Sequence, residues 1–158
     1  MNTRNPSPRR SGGKPGPRSA ARLGAVQALY QIELSGSAAQ AIIEEFLIHR
    51  LGQEFEGVRY PQADTDFFRD IVSGVDQNRA ALDERVAAAL AADWPLDRLE
   101  AVIRAILRAG AYELSFRPDV PTNAIINEYV NVAHAFYDGA EPGFVNGVLD
   151  RMAREIRG

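Results

Sequence analysis

From residue 19 to the end of the chain, apolar side chains return every three or four positions, and no stretch alternates convincingly between apolar and polar. A half-buried strand needs a period of two, and an amphipathic helix needs one of 3.6. The spacing therefore predicts helices. Leu23, Val26, Tyr30 and Leu34 mark the first stripe, and Gly36 ends it by permitting a left-handed turn. Ile42, Ile43, Phe46, Leu47 and Leu51 mark the second, which stops at Gly52. The stretch GQEFEGVRYP, of mixed charge, is predicted as a loop. A long helical pattern then runs from about residue 62 to 92, with Phe68, Ile71, Val72, Val75, Leu82, Val86 and Leu90 on one side. Thirty residues would span ~45 Å as a straight helix, so a bend or break is expected near Asp76 to Arg79.

Asp93-Trp94-Pro95 is a boundary, because proline stops a preceding helix and suits the first turn of the next. Leu99, Val102, Ile103, Ile106, Leu107 and Leu114 follow on one face. Pro118 and Pro121 bar a continuous helix through the next connector. Ile125, Ile126, Tyr129, Val130, Ala133, Phe136 and Tyr137 form another stripe, a turn follows from Asp138 to Pro142, and Val145, Val148, Leu149, Met152 and Ile156 form the last. The expected fold is all-α, with six or seven helices in two three-helix sub-bundles at about 19–92 and 93–158. No fixed-period repeat suggests a solenoid.

The 158 residues are 46% hydrophobic, enough for a real core. There is no cysteine, which excludes disulfides, thiolate metal sites and a cysteine nucleophile and fits a reducing, cytoplasmic setting. No apolar run approaches the ~20 residues of a membrane span, and the basic N-terminus lacks the apolar segment of a signal peptide. Charge is unevenly placed. Residues 1–22 hold Arg4, Arg9, Arg10, Lys14, Arg18 and Arg22 and no acid, while the rest is strongly acidic. Rich in Pro, Gly and Ser, residues 1–18 are expected to form a disordered basic arm. A basic arm on an acidic body fits a polyanion partner, and it equally fits a solubilising tail.

No catalytic constellation appears. His49 and His134 lie in different predicted helices and read as solvated side chains. There is no phosphate-binding glycine loop and no nucleophile elbow. Glu44-Glu45 and Asp83-Glu84 read as solvated faces, and Glu100 falls near a helix start, where the helix dipole stabilises an acid. No enzyme, metal or cofactor is expected.

Five segments, in order, carry a resemblance: ARLGAVQALYQ at 21–31, FRDIVSGV at 68–75, ILRAGAYEL at 106–114, DVPTNAIINEYVNVA at 119–133 and GFVNGVLD at 143–150. Together they resemble the family of the bacterial transcription antitermination factor NusB, over nearly the whole chain after the arm. The resemblance implies two three-helix bundles and RNA binding without catalysis. It implies pairing with NusE, a ribosomal protein that also serves in transcription. The pair would bind the single-stranded boxA element of nascent ribosomal RNA and help load it onto RNA polymerase. It assigns RNA binding to Arg18, Arg22, Tyr30 and Phe144, and partner binding to Tyr30 and Glu100. Ser19, Ala20 and Ala21 stand where relatives cluster arginines, and Gly143 stands where they often carry a basic residue.

Physical chemistry supports such roles. Single-stranded RNA is held by cations along its backbone and by rings on which bases stack, and a helix start offers free N–H groups to phosphate. Phe144 is expected at the rim beside the Val145–Val148 stripe, with Gly147 allowing another helix or backbone to approach closely. A buried, merely structural Phe144 is the competing reading. Two other functions compete. A NusB-like domain also occurs fused to RNA cytosine methyltransferases, but no dinucleotide-type domain follows here. A protein-binding helical scaffold with an incidental tail is the other. The free protein could be a monomer or a homodimer.

Overall fold

The computed structural model describes residues 16–51, 54–55, 58–59, 63–91 and 94–158. Among them lie seven α-helices: α1 (Pro17–Ser35), α2 (Ala39–His49), α3 (Thr65–Gln77), α4 (Arg79–Ala89), α5 (Ala101–Phe116), α6 (Thr122–Phe136) and α7 (Glu141–Arg157). A 3-10 turn, Leu96–Arg98, precedes α5. The all-α expectation holds. One departure lies in the predicted loop at 52–61, where β1 (Glu54–Phe55) pairs antiparallel with β2 (Val58–Arg59), Phe55 opposite Val58. A two-residue ladder is too short to leave an alternating pattern.

Local chemistry explains the helix ends. Pro17 opens α1, where its fixed φ suits the first turn, so Arg18 stands on the helix rather than at the tip of an arm. The outer arm, residues 1–15, lies outside the described residues. Gly36 closes α1 at φ 69°, its N–H donating to the Ile32 carbonyl. The long pattern does break where expected. Asn78 separates α3 from α4, and its side chain donates to the Gly74 carbonyl at 2.8 Å. Asp64 caps α3 by accepting from the Phe67 N–H at 3.0 Å.

Helix α1 runs through the centre, against α2, α3, α5 and α6. This changes its expected face. Ala21, Ala25, Val26, Ala28 and Leu29 are buried, Tyr30 is half-buried, and Leu34 is 57% exposed. A helix surrounded by neighbours needs small residues on several sides, so one large-residue stripe misjudges it. The sub-bundle boundary also moves. Helices α1–α3 pack together, but α4 lies mainly against α5 and α7, with Leu82, Val86 and Ala89 buried. The packing boundary is therefore near Asn78 rather than 92/93: the Trp94-Pro95 break interrupts the chain without separating its packing groups.

Two glycines within the quoted motifs lock the layers. A Cβ on Gly74 would come within 2.2 Å of the Tyr112 ring, and one on Gly110 within 2.6 Å of Leu149. At the far end, the Arg157 guanidinium donates to the carbonyls of Glu113, Leu114, Arg117 and Val120 and to the Thr122 hydroxyl. The last turn of α7 thereby ties down the α5–α6 connector.

Candidate functional site

Helix α1 carries three of the sequence-derived candidates, and the structure sends them to different places. Arg22 is 3% exposed. Its Nε and Nη2 donate to the two carboxylate oxygens of Glu113 on α5 at 2.8 and 2.9 Å, and its Nη1 donates to Glu128 on α6 at 2.9 Å. Tyr129, fully buried, donates its hydroxyl to Glu113, and Ser19 donates to Glu128. Burial works against the Arg22 charge, yet the hydrogen bonds and charge of Glu113 outweigh it and raise the guanidinium's pKa. Burial, followed by the Glu113 charge, pushes the Tyr129 phenol well above its usual value. Arg22, assigned to RNA by the resemblance, is held inward here. Its donors are committed to two carboxylates, and phosphate could reach them only by opening the core.

Arg18 lies one turn earlier and half out in solvent, 4.4 Å above the buried Phe67 ring and 3.7 Å from Asp64. Arg22 and Arg117 also stand over that ring, each at 4.9 Å. Arg117 pairs with Asp70 and Asp119 at 2.9 Å each. Of the two arginines nearest the helix, Arg18 is the one still open to a ligand.

Tyr30 lies about 18 Å along the helix from Arg18 at 1.5 Å per residue. It lines a hollow of about 360 Å³ with Leu34, Glu100, Val102, Phe136 and Tyr137. Glu100 is the exposed N-cap residue of α5; its side chain makes no capping hydrogen bond and accepts from the Tyr137 hydroxyl. The expected helix-start position is thus observed. Burial, then the charges of Glu100 and Glu141, push the Tyr137 phenol up. A second hollow of about 350 Å³ shares Glu100 and is lined further by Trp94, Arg98, Ile103, Glu141 and Phe144. Phe144 is half-buried, packed against the core and facing this hollow. Glu100 joins the two, so Tyr30, Glu100 and Phe144 come together on one face, while Arg18 and Arg22 lie towards the other end of α1.

The expected reason for Gly147 does not hold. The nearest atom to a Cβ there is Arg151 Nη1 at 3.6 Å, an ordinary contact, and a Cβ on Gly143 would meet nothing within 4 Å. Neither glycine admits another backbone. Sequence reasoning missed Trp94, Tyr137 and Glu141 as lining residues. Trp94 read only as part of a helix break, and Tyr137 as part of a core stripe. A lone tryptophan beside a proline at a helix break was the one available signal.

The positioning of Glu100 has a visible cause. Arg104 Nε binds Glu33 on α1 at 2.8 Å, and its Nη1 donates to the Leu99 carbonyl. Arg108 extends the ladder to Asp83 on α4 at 2.7 Å. Arg104 thus ties the segment carrying Glu100 to the helix carrying Tyr30. His49 and His134 are exposed, as expected of solvated side chains. Among the described residues, no cluster of three or more His, Asp or Glu side chains could hold a metal ion, and no helix is long and apolar enough to cross a membrane.

Residues 19–154 match the profile of the NusB family. The chain is 50% identical over 147 residues to the transcription antitermination protein NusB of Caulobacter vibrioides, covering 93% of this chain and 99% of that one. Its structure is similar to that of T. maritima NusB, with a TM-score of 0.74, 31% identity and coverage of 90% and 94% of the two chains. It shares its fold, at a TM-score of 0.73, 22% identity and coverage of 87% and 96%, with a chain from the crystal structure of antitermination factors NusB and NusE in complex with dsRNA. With a family match over most of its length, a half-identical relative and the same arrangement of helices, the chain belongs to the NusB family of transcription antitermination proteins.

Proposed function

We propose that this protein is an RNA-binding antitermination factor that acts together with NusE on the boxA element of nascent ribosomal RNA. The observation that carries the reading is the meeting of Tyr30, Glu100 and Phe144 on one face, around two adjoining hollows. A half-buried phenylalanine at a rim offers a stacking surface to an unpaired base. Tyr30 offers a ring with a polar tip, and Glu100 an acceptor and a charge, to RNA or to a basic protein partner. Arg18 supplies a cation at the start of α1, where the basic arm joins the body. Arg22 supports the site only through the core. A relative with this fold has been crystallised with NusE and dsRNA, which supports the choice of partners. The acidic body suits a basic ribosomal protein and would steer its association. The complex would act at RNA polymerase in the cytoplasm.

Isothermal titration of boxA RNA into the protein, with and without NusE, tests the proposal. Coupling between two sites is reciprocal, so NusE should tighten RNA binding and RNA should tighten NusE binding. Equal RNA affinity in both titrations would contradict cooperative loading, and absence of NusE binding at micromolar concentrations would contradict the partner.

A further inference from the structure

We propose that the hollow between Trp94 and Phe144 is a guanine-reading site for single-stranded RNA, with Glu141 and Glu100 accepting from the base's Watson–Crick edge. The inference rests on the RNA-binding reading above and adds a base preference to it.

Its volume, about 350 Å³, falls at the small end of the ~300–1,000 Å³ usual for ligand sites and suffices for a single base. The lining combines three kinds of group. Trp94 and Phe144 supply aromatic surface, and Trp94 is 47% exposed, an unusual position for the largest apolar side chain unless something stacks on it. Arg98 supplies a cation at the edge. Glu141 and Glu100 supply carboxylate acceptors, and Glu100 also accepts from the Tyr137 hydroxyl. Two carboxylates on one rim, with aromatic surface beside them, suit a planar ligand that carries donors on one edge.

The donor can be identified by its chemistry. Guanine carries two adjacent donors on one edge, the ring N1–H and the exocyclic amino group, which suit carboxylate oxygens. Adenine presents a ring lone pair in place of N1–H and is repelled. Uracil and cytosine each present a single donor group on that edge. A partner's lysine or arginine would also satisfy the carboxylates, but Arg98 on the same rim opposes a second cation. That cation suits the phosphates flanking a stacked base.

Trp94 is the sole tryptophan, so its fluorescence reports occupancy of this hollow alone. The test titrates the full chain at low salt with oligouridine 12-mers carrying one central guanine, adenine or inosine. The guanine oligomer should bind about tenfold more tightly than the adenine one and quench Trp94. Inosine, which lacks the amino group, should fall between them. Glu141→Gln and Glu100→Gln should each bring the guanine-to-adenine ratio towards one. The inosine comparison needs no variant, so a poorly folded substitution leaves the test intact. Equal binding of all three oligomers overturns the proposal, as does RNA binding without any change in Trp94. The latter leaves the RNA-binding reading standing; no binding of any oligomer overturns the guanine site, and the boxA titration with NusE then decides the RNA-binding reading by itself. Quenching by an arginine-rich peptide but not by RNA would give the hollow to a protein ligand and overturn the proposal.

Discussion

The two ends of helix α1 present similar residue types in opposite conditions. Near its start, Arg22, Glu113, Glu128 and Tyr129 form a closed knot between α1, α5 and α6. Near its end, Tyr30, Glu100, Tyr137 and Glu141 surround open hollows. Charged and aromatic side chains thus hold the fold together at one end and are available to a ligand at the other. What separates the two is not the α1 sequence but what faces it. The buried carboxylate of Glu113 draws Arg22 inward, whereas the short segment before α5 leaves Glu100 at the surface.

The sharpest way to break this contrast is at the closed end. Arg22→Met leaves Glu113 buried and uncompensated, so it should cost about 3–5 kcal/mol, read by denaturant unfolding. A surface arginine would cost under ~0.5 kcal/mol. Replacing Arg22 and Glu113 together by apolar residues of similar size should recover much of the loss, because a buried pair contributes little beyond a packed apolar substitute.

Glycine substitutions sharpen the same contrast. Gly74→Ala would drive a Cβ into the Tyr112 ring and should destabilise by about 1–3 kcal/mol, as overpacking does. Gly147→Ala, near the open face, meets only the Arg151 side chain at 3.6 Å. It should stabilise by roughly 0.5–1 kcal/mol through helix propensity. Thermal melts of the two variants should therefore move in opposite directions.

The arm gives a salt effect rather than a stability effect. If two to four of its charges engage phosphate, log affinity should fall against log salt with a slope of roughly −1.5 to −3, at ~0.7 per contact. Deleting residues 1–15 should flatten that slope and leave unfolding unchanged, since α1 starts at Pro17. Longer deletions remove Arg22 and would confuse tail with core.

The smallest effect is on acid titration. Hydrogen bonding to Arg117 holds the Asp119 carboxyl at about 2, below its ordinary 3.8. Its contribution is present above the ordinary value and lost as pH falls towards 2. An NMR titration of Asp119 should return to the ordinary midpoint in Arg117→Ala.

Much of the fold was legible because the governing signal is local. Helical period, Gly36, the break near Asn78 and the proline connector each act over a few residues. The packing boundary was not legible, because α4 is assigned by which helices it lies against, and a break in the chain says nothing of that. The site was half legible. Tyr30, Glu100 and Phe144 are far apart in sequence, and family resemblance brought them forward before the packing joined them. The burial of Arg22 was not legible, because a basic residue in a basic segment looks external, and its two acids lie 91 and 106 positions away. Glu141 and Trp94 carry no motif, and their shared hollow exists only once α7 meets the segment before α5.

The open end is tested most directly by Phe144→Ala, measured by thermal melting and by titration with boxA RNA in parallel. The ring is half-buried at the rim of a hollow, so RNA affinity should fall by about 1–3 kcal/mol, the usual cost of losing a stacked base. Folding stability should change by much less than the ~3–5 kcal/mol of a core phenylalanine. A large fall in melting temperature with RNA affinity intact would contradict the account and return Phe144 to the core.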